Sequence, residues 1–253
     1  MKFALNRLRP QVVLNVVRAM PTIGFSYYGE DKIVFQLKPS NKGFYVDVGA
    51  YHPVEGSNTY KLYLKGWDGI TIEPNPANAN DFKKLRPRDR HVISGIAPES
   101  GVREYHQFAA ACMNTLDAET AETAVRTDAA VPTGTLMVYV QPLSKVLDEM
   151  APQRHVDFLN VDCEGMDLEV LKTLDWPRQK PTVICIEDHD QFKLGHSSFS
   201  AIGSFLHDQD YLVIGQTLYS FVYVDRNSFG KPKPTSGFEI SESVVEWIRR
   251  LEN

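Results

Sequence analysis

The chain has 253 residues, of which 43% are hydrophobic, and a formal net charge of −5. This is an ordinary globular composition, and a chain of this length buries a substantial core without disulfide bonds. The acidic balance argues against a general nucleic-acid-binding protein, because such proteins carry a basic face. We therefore expect no nucleic-acid partner.

The cysteines and the apolar runs indicate a cytoplasmic protein. Cys112, Cys163 and Cys185 stand far apart and form neither a disulfide framework nor a zinc-ligand pattern. No apolar run reaches the roughly 18 residues needed to cross a bilayer, and the first residues lack the apolar region of a secretory signal. We expect no transmembrane segment.

In chain order, short apolar runs alternate with helical stretches, and no repeat of fixed period is present. This alternation predicts βαβ units and a parallel sheet, with a hairpin formed by the last two strands. The predicted strands are residues 43–49, 69–73, 91–97, 102–108, 136–140, 156–161, 181–186, 211–214 and 221–224. The predicted helices are residues 58–65, 77–85, 143–150, 166–174, 199–207 and 241–251.

Two segments depart from this alternation. Residues 1–24 are predicted to be a helical extension, and the amphipathic stretch Val12–Met20 within it can pack on the domain or at a contact in a homo-oligomer. Residues 109–134 are rich in alanine and threonine without a clean period. They are predicted to be an insertion or lid, because long irregular segments in compact domains are usually functional or mobile. No linker divides the chain, so a single domain is predicted over residues 1–253.

Acidic residues stand at the ends of four predicted parallel strands. Ligands of open α/β sheets bind at the carboxyl ends of the strands, so these side chains are expected to meet at one edge. Such an edge favours a cationic ligand or a metal ion. The residues concerned are Asp47 in the first strand, Glu73 after the second, Asp162 and Glu164 after the strand at 156–161, and Glu187 to Asp190 after the strand at 181–186.

The loop after the first strand distinguishes between two cofactor types. A dinucleotide-binding loop carries G-x-G-x-x-G, but here only Gly49 and Gly56 are present, and Asp47 suits a pyrophosphate poorly. S-adenosylmethionine has no phosphate and carries a positive sulfonium and a positive amino group. An acid beside a glycine that permits close backbone approach suits this cofactor, and Glu73 can accept hydrogen bonds from its ribose hydroxyls.

Three longer stretches carry a family resemblance. Residues 47–60, 66–76 and 158–171 resemble the FkbM-type methyltransferases, and Tyr28–Asp31 is similar to a segment that precedes the first strand in many members. The resemblance covers roughly residues 25–225.

The resemblance implies a class I methyltransferase fold. This is a Rossmann-like, doubly wound α/β sheet that is mostly parallel and has an antiparallel C-terminal hairpin. It also implies S-adenosylmethionine as cofactor and O-methylation of a sugar, glycan, glycolipid or natural product, with a role in polysaccharide or natural-product biosynthesis. The predicted cofactor-binding residues are Asp47, Gly49, Ala50, Asn58, Thr59, Glu73, Pro74, Ile96 and Asp162.

Two mechanisms remain open, because a hydroxyl acceptor must give its proton to a general base or have its pKa lowered by a metal ion. In the first, His189 or Glu164 is the base, and Asp162 lies with Glu164 near the reacting methyl group. In the second, Asp162, Glu187 and Asp188 bind Mg²⁺ through carboxylate oxygens.

Other functional classes also remain open. The alternatives are a dinucleotide-dependent oxidoreductase, a non-catalytic module of the same fold that binds a partner protein, and methylation of nitrogen in place of oxygen.

Overall fold

The computed structural model describes residues 23–194, 199–228 and 237–238. The predicted N-terminal extension, apart from residues 23–24, and the predicted helix at 241–251 lie outside these ranges.

The described elements follow the predicted alternation. The strands are β1 (Phe44–Val48), β2 (Asp68–Ile72), β3 (Arg90–Val92), β4 (Gly95–Ile96), β5 (Gly101–Phe108), β6 (Pro132–Gln141), β7 (Phe158–Val161), β8 (Val183–Glu187), β9 (Tyr211–Gln216) and β10 (Ser220–Asp225). The α-helices are α1 (Glu30–Gln36), α2 (Tyr60–Lys65), α3 (Ala79–Leu85), α4 (Ala118–Arg126), α5 (Leu143–Met150), α6 (Asp167–Lys172), α7 (Trp176–Gln179), α8 (His189–Leu194) and α9 (Ala201–Asp208).

The main sheet has seven strands in the order β3-β2-β1-β7-β8-β10-β9. The first five strands in this order run parallel to one another, and β10 pairs antiparallel with both β8 and β9. Every residue of β1 and β7 is buried, as expected for a sheet covered on both faces. The predicted mostly parallel sheet with an antiparallel C-terminal hairpin is confirmed.

Side chains alternate between two cores, one on each face of the main sheet. Val46 and Val48 of β1 pack with residues of α5, α6 and α9, whereas Tyr45 packs with residues of α1 and α2. Asp47 points to the same face as Tyr45, because successive strand residues alternate in direction. The carboxylate of Asp47 therefore lies between the sheet and the α2 side.

The prediction of one strand over residues 91–97 is wrong. The run divides into β3, which pairs with β2, and β4, which pairs with β6 in a second sheet of order β4-β6-β5. Between them Ile93 is half exposed, and Ser94 donates a hydrogen bond to the Tyr139 carbonyl of β6. The chain thus leaves one sheet and enters another within a single apolar run.

Residues 109–134 are more regular than predicted. They contain a 3-10 turn at Ala111–Met113, helix α4 and the first residues of β6. The Asp117 side chain caps α4 by accepting a hydrogen bond from Thr120 N at 2.8 Å. The helix escaped prediction because its buried residue is a small one, Ala121, and no large apolar side chain of α4 is buried to mark the helical face.

Candidate active site

A cavity lies at the carboxyl ends of β1, β2 and β7, with about 500 Å³ of empty space, open solvent included. We call it the inner cavity and define it by Gly49, Glu73, Ile96, Asp162 and Glu164, all of which line it. Its position is where open α/β sheets bind ligands.

Gly49 brings the ends of β1 and β7 together. Its φ angle is 76°, and a Cβ atom at this position would stand 1.7 Å from the carbonyl oxygen of Asp162. No larger residue fits there without a shift of backbone. The glycine therefore sets the distance between the first loop and the Asp162 turn.

Glu73 is held in a fixed orientation at the end of β2. Its carboxylate is 4% exposed and accepts hydrogen bonds from Tyr51 N (3.0 Å), Asn75 N (2.8 Å) and Tyr105 Oη (3.3 Å). Burial raises the pKa of Glu73, while the two backbone bonds oppose that rise. An ionised carboxylate has about four acceptor positions, so capacity remains for a hydroxyl group inside the cavity.

Asp47 lies behind the inner cavity and does not line it. Its carboxylate accepts hydrogen bonds from Thr59 Oγ1 (2.5 Å) and Asn160 Nδ2 (2.9 Å), and Asn160 in turn accepts one from Asn58 Nδ2 (2.9 Å). Arg86 Nη1 is 3.9 Å from Asp47 Oδ2. These five residues, all buried, form a polar network under the first loop.

Arg86 is the residue of this network that sequence reasoning missed. Its side chain is fully buried, and it donates hydrogen bonds to Asp89 (2.6 Å), Tyr45 Oη (2.7 Å), Thr59 Oγ1 (2.8 Å) and Ser57 Oγ. Burial opposes the charge of Arg86, but the surrounding oxygens raise its pKa overall. Nothing in the local sequence distinguishes it from the arginines at positions 88 and 90.

The predicted cofactor residues thus separate into two groups. Those that line the inner cavity are Gly49, Glu73, Pro74, Ile96 and Asp162. Those that lie outside its lining are Asp47, Ala50, Asn58 and Thr59. An apolar wall that was not predicted from sequence completes the cavity, and it includes Ile72, Leu116 and Met166.

An open cleft lies on the other side of the turn that follows β7. It encloses about 1540 Å³ of empty space, open solvent included, and we call it the outer cleft, defined by Thr120, Asp167, Glu187, His189 and Ser200. Helix α4 forms one wall of this cleft, so part of the 109–134 segment borders both cavities.

The turn at Glu164 and Gly165 separates the two cavities. Both residues have positive φ angles, 52° and 102°. The carbonyl oxygen of Glu164 accepts a hydrogen bond from Thr115 Oγ1 (2.8 Å), and a Cβ on Gly165 would stand 2.5 Å from Thr120 Oγ1. Close packing against the 109–134 segment therefore fixes the turn.

Glu164, Glu187 and His189 converge where the two cavities meet. One ligand atom from each lies within 4.8 Å of the others, and His189 Nε2 is 3.2 Å from Glu187 Oε1. Burial and the neighbouring carboxylates of Glu187 and Asp167 raise the pKa of Glu164 to about 8. The hydrogen bond to Glu187 raises the pKa of His189.

The same convergence bears on the predicted metal ligands. Among the residues that the structure describes, Glu164, Glu187 and His189 are the group with metal-ligand spacing; the predicted set of Asp162, Glu187 and Asp188 is not. Both Asp188 oxygens already accept hydrogen bonds, one from Gln191 N (2.8 Å) and one from Ser200 Oγ (2.5 Å).

A sequence model of the methyltransferase FkbM domain matches residues 47–213, more than half of the chain. The chain belongs to the FkbM methyltransferase family. This assignment confirms the family that residues 47–60, 66–76 and 158–171 resemble, and it favours a methyltransferase over a dinucleotide-dependent oxidoreductase.

Two solved methyltransferases are similar to this FkbM-family chain. One is FkbM from Methylobacillus flagellatus KT, with 17% identity and a TM-score of 0.45 over 73% of this chain and 44% of that one. The other is a TehB-like SAM-dependent methyltransferase from Corynebacterium glutamicum ATCC 13032 Kitasato, with 13% identity and a TM-score of 0.38 over 86% of this chain and 98% of that one. The present chain therefore spans less than half of the first relative. No curated protein matches the sequence significantly.

The described α-helices of this FkbM-family chain have nine residues or fewer. Within residues 23–194, 199–228 and 237–238, none combines the length and hydropathy that crossing a membrane requires.

Proposed function

We propose that this protein is an S-adenosylmethionine-dependent O-methyltransferase that acts on a hydroxyl group of a sugar, glycan, glycolipid or natural product. The observation that carries the proposal is the inner cavity, where three carboxylates from two strand ends (Glu73, Asp162 and Glu164) lie beside an apolar wall and Glu164 connects them to a second, open cleft. We further propose that the protein acts in the cytoplasm, in polysaccharide or natural-product biosynthesis; a homo-oligomer is compatible with this proposal.

The residues of the inner cavity fit S-adenosylmethionine chemically. Burial, and after it the carboxylate of Glu187, raise the pKa values of Asp162 and Glu164, so a positive charge beside them would favour their ionised forms. The remaining acceptor capacity of Glu73 suits a ribose hydroxyl. Ile72 and Ile96 offer an apolar surface to the flat adenine ring.

Glu164 is proposed as the general base. When bound, S-adenosylmethionine supplies a methyl group on a sulfonium, which transfers by in-line displacement. A general base works best when its pKa lies near the working pH, and the pKa of Glu164 is raised to about 8. His189 is less suited to accept the proton, because Glu187 favours its protonated form. We propose that His189 and Glu187 position the acceptor.

The metal-assisted alternative uses the same side chains, but their chemistry supports it less well than it supports base catalysis. Mg²⁺ prefers an octahedral set of oxygen ligands, whereas the converging group includes the imidazole of His189, which better suits later transition metals. Chelation by EDTA separates the two mechanisms, because base catalysis by Glu164 survives it.

The test is calorimetric titration with S-adenosylhomocysteine. Wild type is expected to bind with micromolar affinity, and Glu73→Gln is expected to bind at least tenfold more weakly, because one cavity acceptor becomes a donor. Glu104→Gln is the matched control, since Glu104 is exposed on β5 and does not line the cavity. Thermal unfolding of each variant checks that the fold persists.

The outcomes separate the candidate functions. No binding by the folded wild type refutes the proposal and favours the partner-binding module. Binding of NADH in its place favours the oxidoreductase.

A further inference from the structure

We propose that the outer cleft selects an acceptor with a protonated amino group, such as an amino sugar or another polyhydroxylated amine, and that Glu187 binds this group. The inference rests on the proposed methyltransferase function and concerns which acceptor the cleft admits. It makes Glu187 a specificity-determining residue.

The two carboxylate oxygens of Glu187 differ in their hydrogen bonding. Oε1 pairs with His189, whereas Oε2 is buried and, among the described residues, has no hydrogen-bond partner. The side chain is 11% exposed and lines the outer cleft. Buried acceptors without partners are rare in folded proteins, because loss of their hydration is costly. A turn of the Glu187 carboxyl group toward the outer cleft would bring this oxygen to a donor carried in by the acceptor molecule.

The charges around Glu187 favour a cation over a neutral or anionic group. Glu164 and Asp167 are close enough for Glu187 to raise both of their pKa values, and Asp162 shows the same effect. The hydrogen bond to Glu187 raises the pKa of His189, whose imidazole can supply one positive charge to this group, and a bound S-adenosylmethionine would add a net charge of only one on the other side of the turn. An ammonium relieves the remaining repulsion, whereas a carboxylate or phosphate adds to it.

The only lysine among the cleft's described lining residues does not alter the preference for a cation at Glu187. Lys193 Nζ is 2.9 Å from Asp190 Oδ1, and both side chains are more than two thirds exposed at the rim. Water and salt screen such a pair strongly. Lys193 therefore does not neutralise the carboxyl groups at the buried end of the cleft.

The opposite wall suits ring hydroxyls. Thr120 and Thr123 of α4 and Thr127, which directly follows the helix, line the cleft, and threonine hydroxyls both donate and accept hydrogen bonds. An acceptor that carries hydroxyl groups beside its amine can therefore bind across the cleft, from Glu187 to α4.

An ammonium held by Glu187 keeps its proton and has no free lone pair, so it is not the methylated atom. The neighbouring hydroxyl oxygen forms the new O–C bond, the C–S bond of the donor breaks, and the hydroxyl proton passes to Glu164. The inference therefore predicts O-methylation of an amine-bearing acceptor.

Three probes on one scaffold test the inference, namely methyl glucosaminide, methyl glucoside and methyl glucuronide. Their binding to the protein saturated with S-adenosylhomocysteine is measured by ligand-observed NMR. We expect the amine to bind at least tenfold more tightly than the neutral sugar, and the anionic sugar to bind more weakly still. Glu187→Gln is expected to abolish the preference for the amine, while Asp190→Asn, at the exposed rim, keeps it.

The outcomes distinguish this inference from the proposed function. If wild type binds S-adenosylhomocysteine but binds the amine no more tightly than the neutral sugar, or binds neither, the inference fails and the methyltransferase proposal stands. An N-methylated product also overturns it. If wild type does not bind S-adenosylhomocysteine, the methyltransferase proposal itself fails. Unchanged affinity of Glu187→Gln for S-adenosylhomocysteine shows that the variant is folded.

Discussion

We expect Arg86→Met to lower the free energy of unfolding by about 3–5 kcal/mol, the usual cost of breaking a buried ion pair from one side. The side chains of Arg86, Asp89 and Asp47 are 0%, 1% and 2% exposed. Methionine fills much of the same space, but it leaves both carboxylates buried without their cation. In a domain of this size each kcal/mol corresponds to roughly 2–4 °C, so the melting temperature is expected to fall by about 6–20 °C.

Urea unfolding of wild type, Arg86→Met and the matched control Arg178→Met measures this cost. Arg178 also binds two carboxylates, those of Asp148 and Asp175, but its side chain is 55% exposed. Exposed pairs contribute about 0–1 kcal/mol, so the control is expected to lose little stability.

A second variant tests the cause of the Arg86 effect. Adding Asp89→Asn to Arg86→Met is expected to recover part of the lost stability, because it removes one unpaired buried charge. If Arg86→Met loses no more unfolding free energy than Arg178→Met, the reasoning is refuted, and the polar network does not stabilise the first loop.

Three further predictions concern the backbone and the pH dependence. Gly49→Ala is expected to weaken S-adenosylhomocysteine binding at least tenfold, whereas Gly134→Ala, also at positive φ but with no atom within 4 Å of its new Cβ, keeps full affinity in the same titration. Burial and nearby carboxylates raise the pKa of Glu164 to about 8, so the protonated form stabilises the fold at low pH and this contribution is lost as pH rises through 8. The free energy of unfolding of Glu164→Gln is therefore expected to depend less on pH than that of wild type between pH 5 and 8. Equal slopes for the two proteins contradict this. Burial lowers the pKa of His91 to about 4, so wild type is expected to lose stability relative to His91→Gln as pH falls from 6.5 to 4, by at most about 1.4 kcal/mol per pH unit; acid melts of both proteins check it.

The order of strands and helices was predictable because the signals are local. The runs at 44–48 and 158–161 are apolar apart from Asp47 and Asn160, the loops that follow them contain glycines, and residues 183–186 are apolar throughout. Gly66, at φ 112°, ends α2 where the sequence placed the end of that helix. The acidic residues at the strand ends were predictable for the same reason, since each directly follows a recognisable strand.

The partners of these residues were not predictable. Hydrophobic period reports whether a residue is buried, but it does not report which distant residue lies opposite. The apolar run at 91–97 was therefore predicted to be one strand although it pairs in two sheets, and Arg86 was not singled out although it lies beside Asp47.

The sequence by itself determined the family, the parallel sheet and the carboxylates at its edge, because these depend on residue type and on spacing along the chain. Only the tertiary structure decided that Asp47 belongs to a buried network and that Glu164 meets Glu187 and His189 between two cavities. Those contacts arise where separate strands end side by side, and the order of strands in the sheet, which differs from their order in the chain, determines which ends are neighbours.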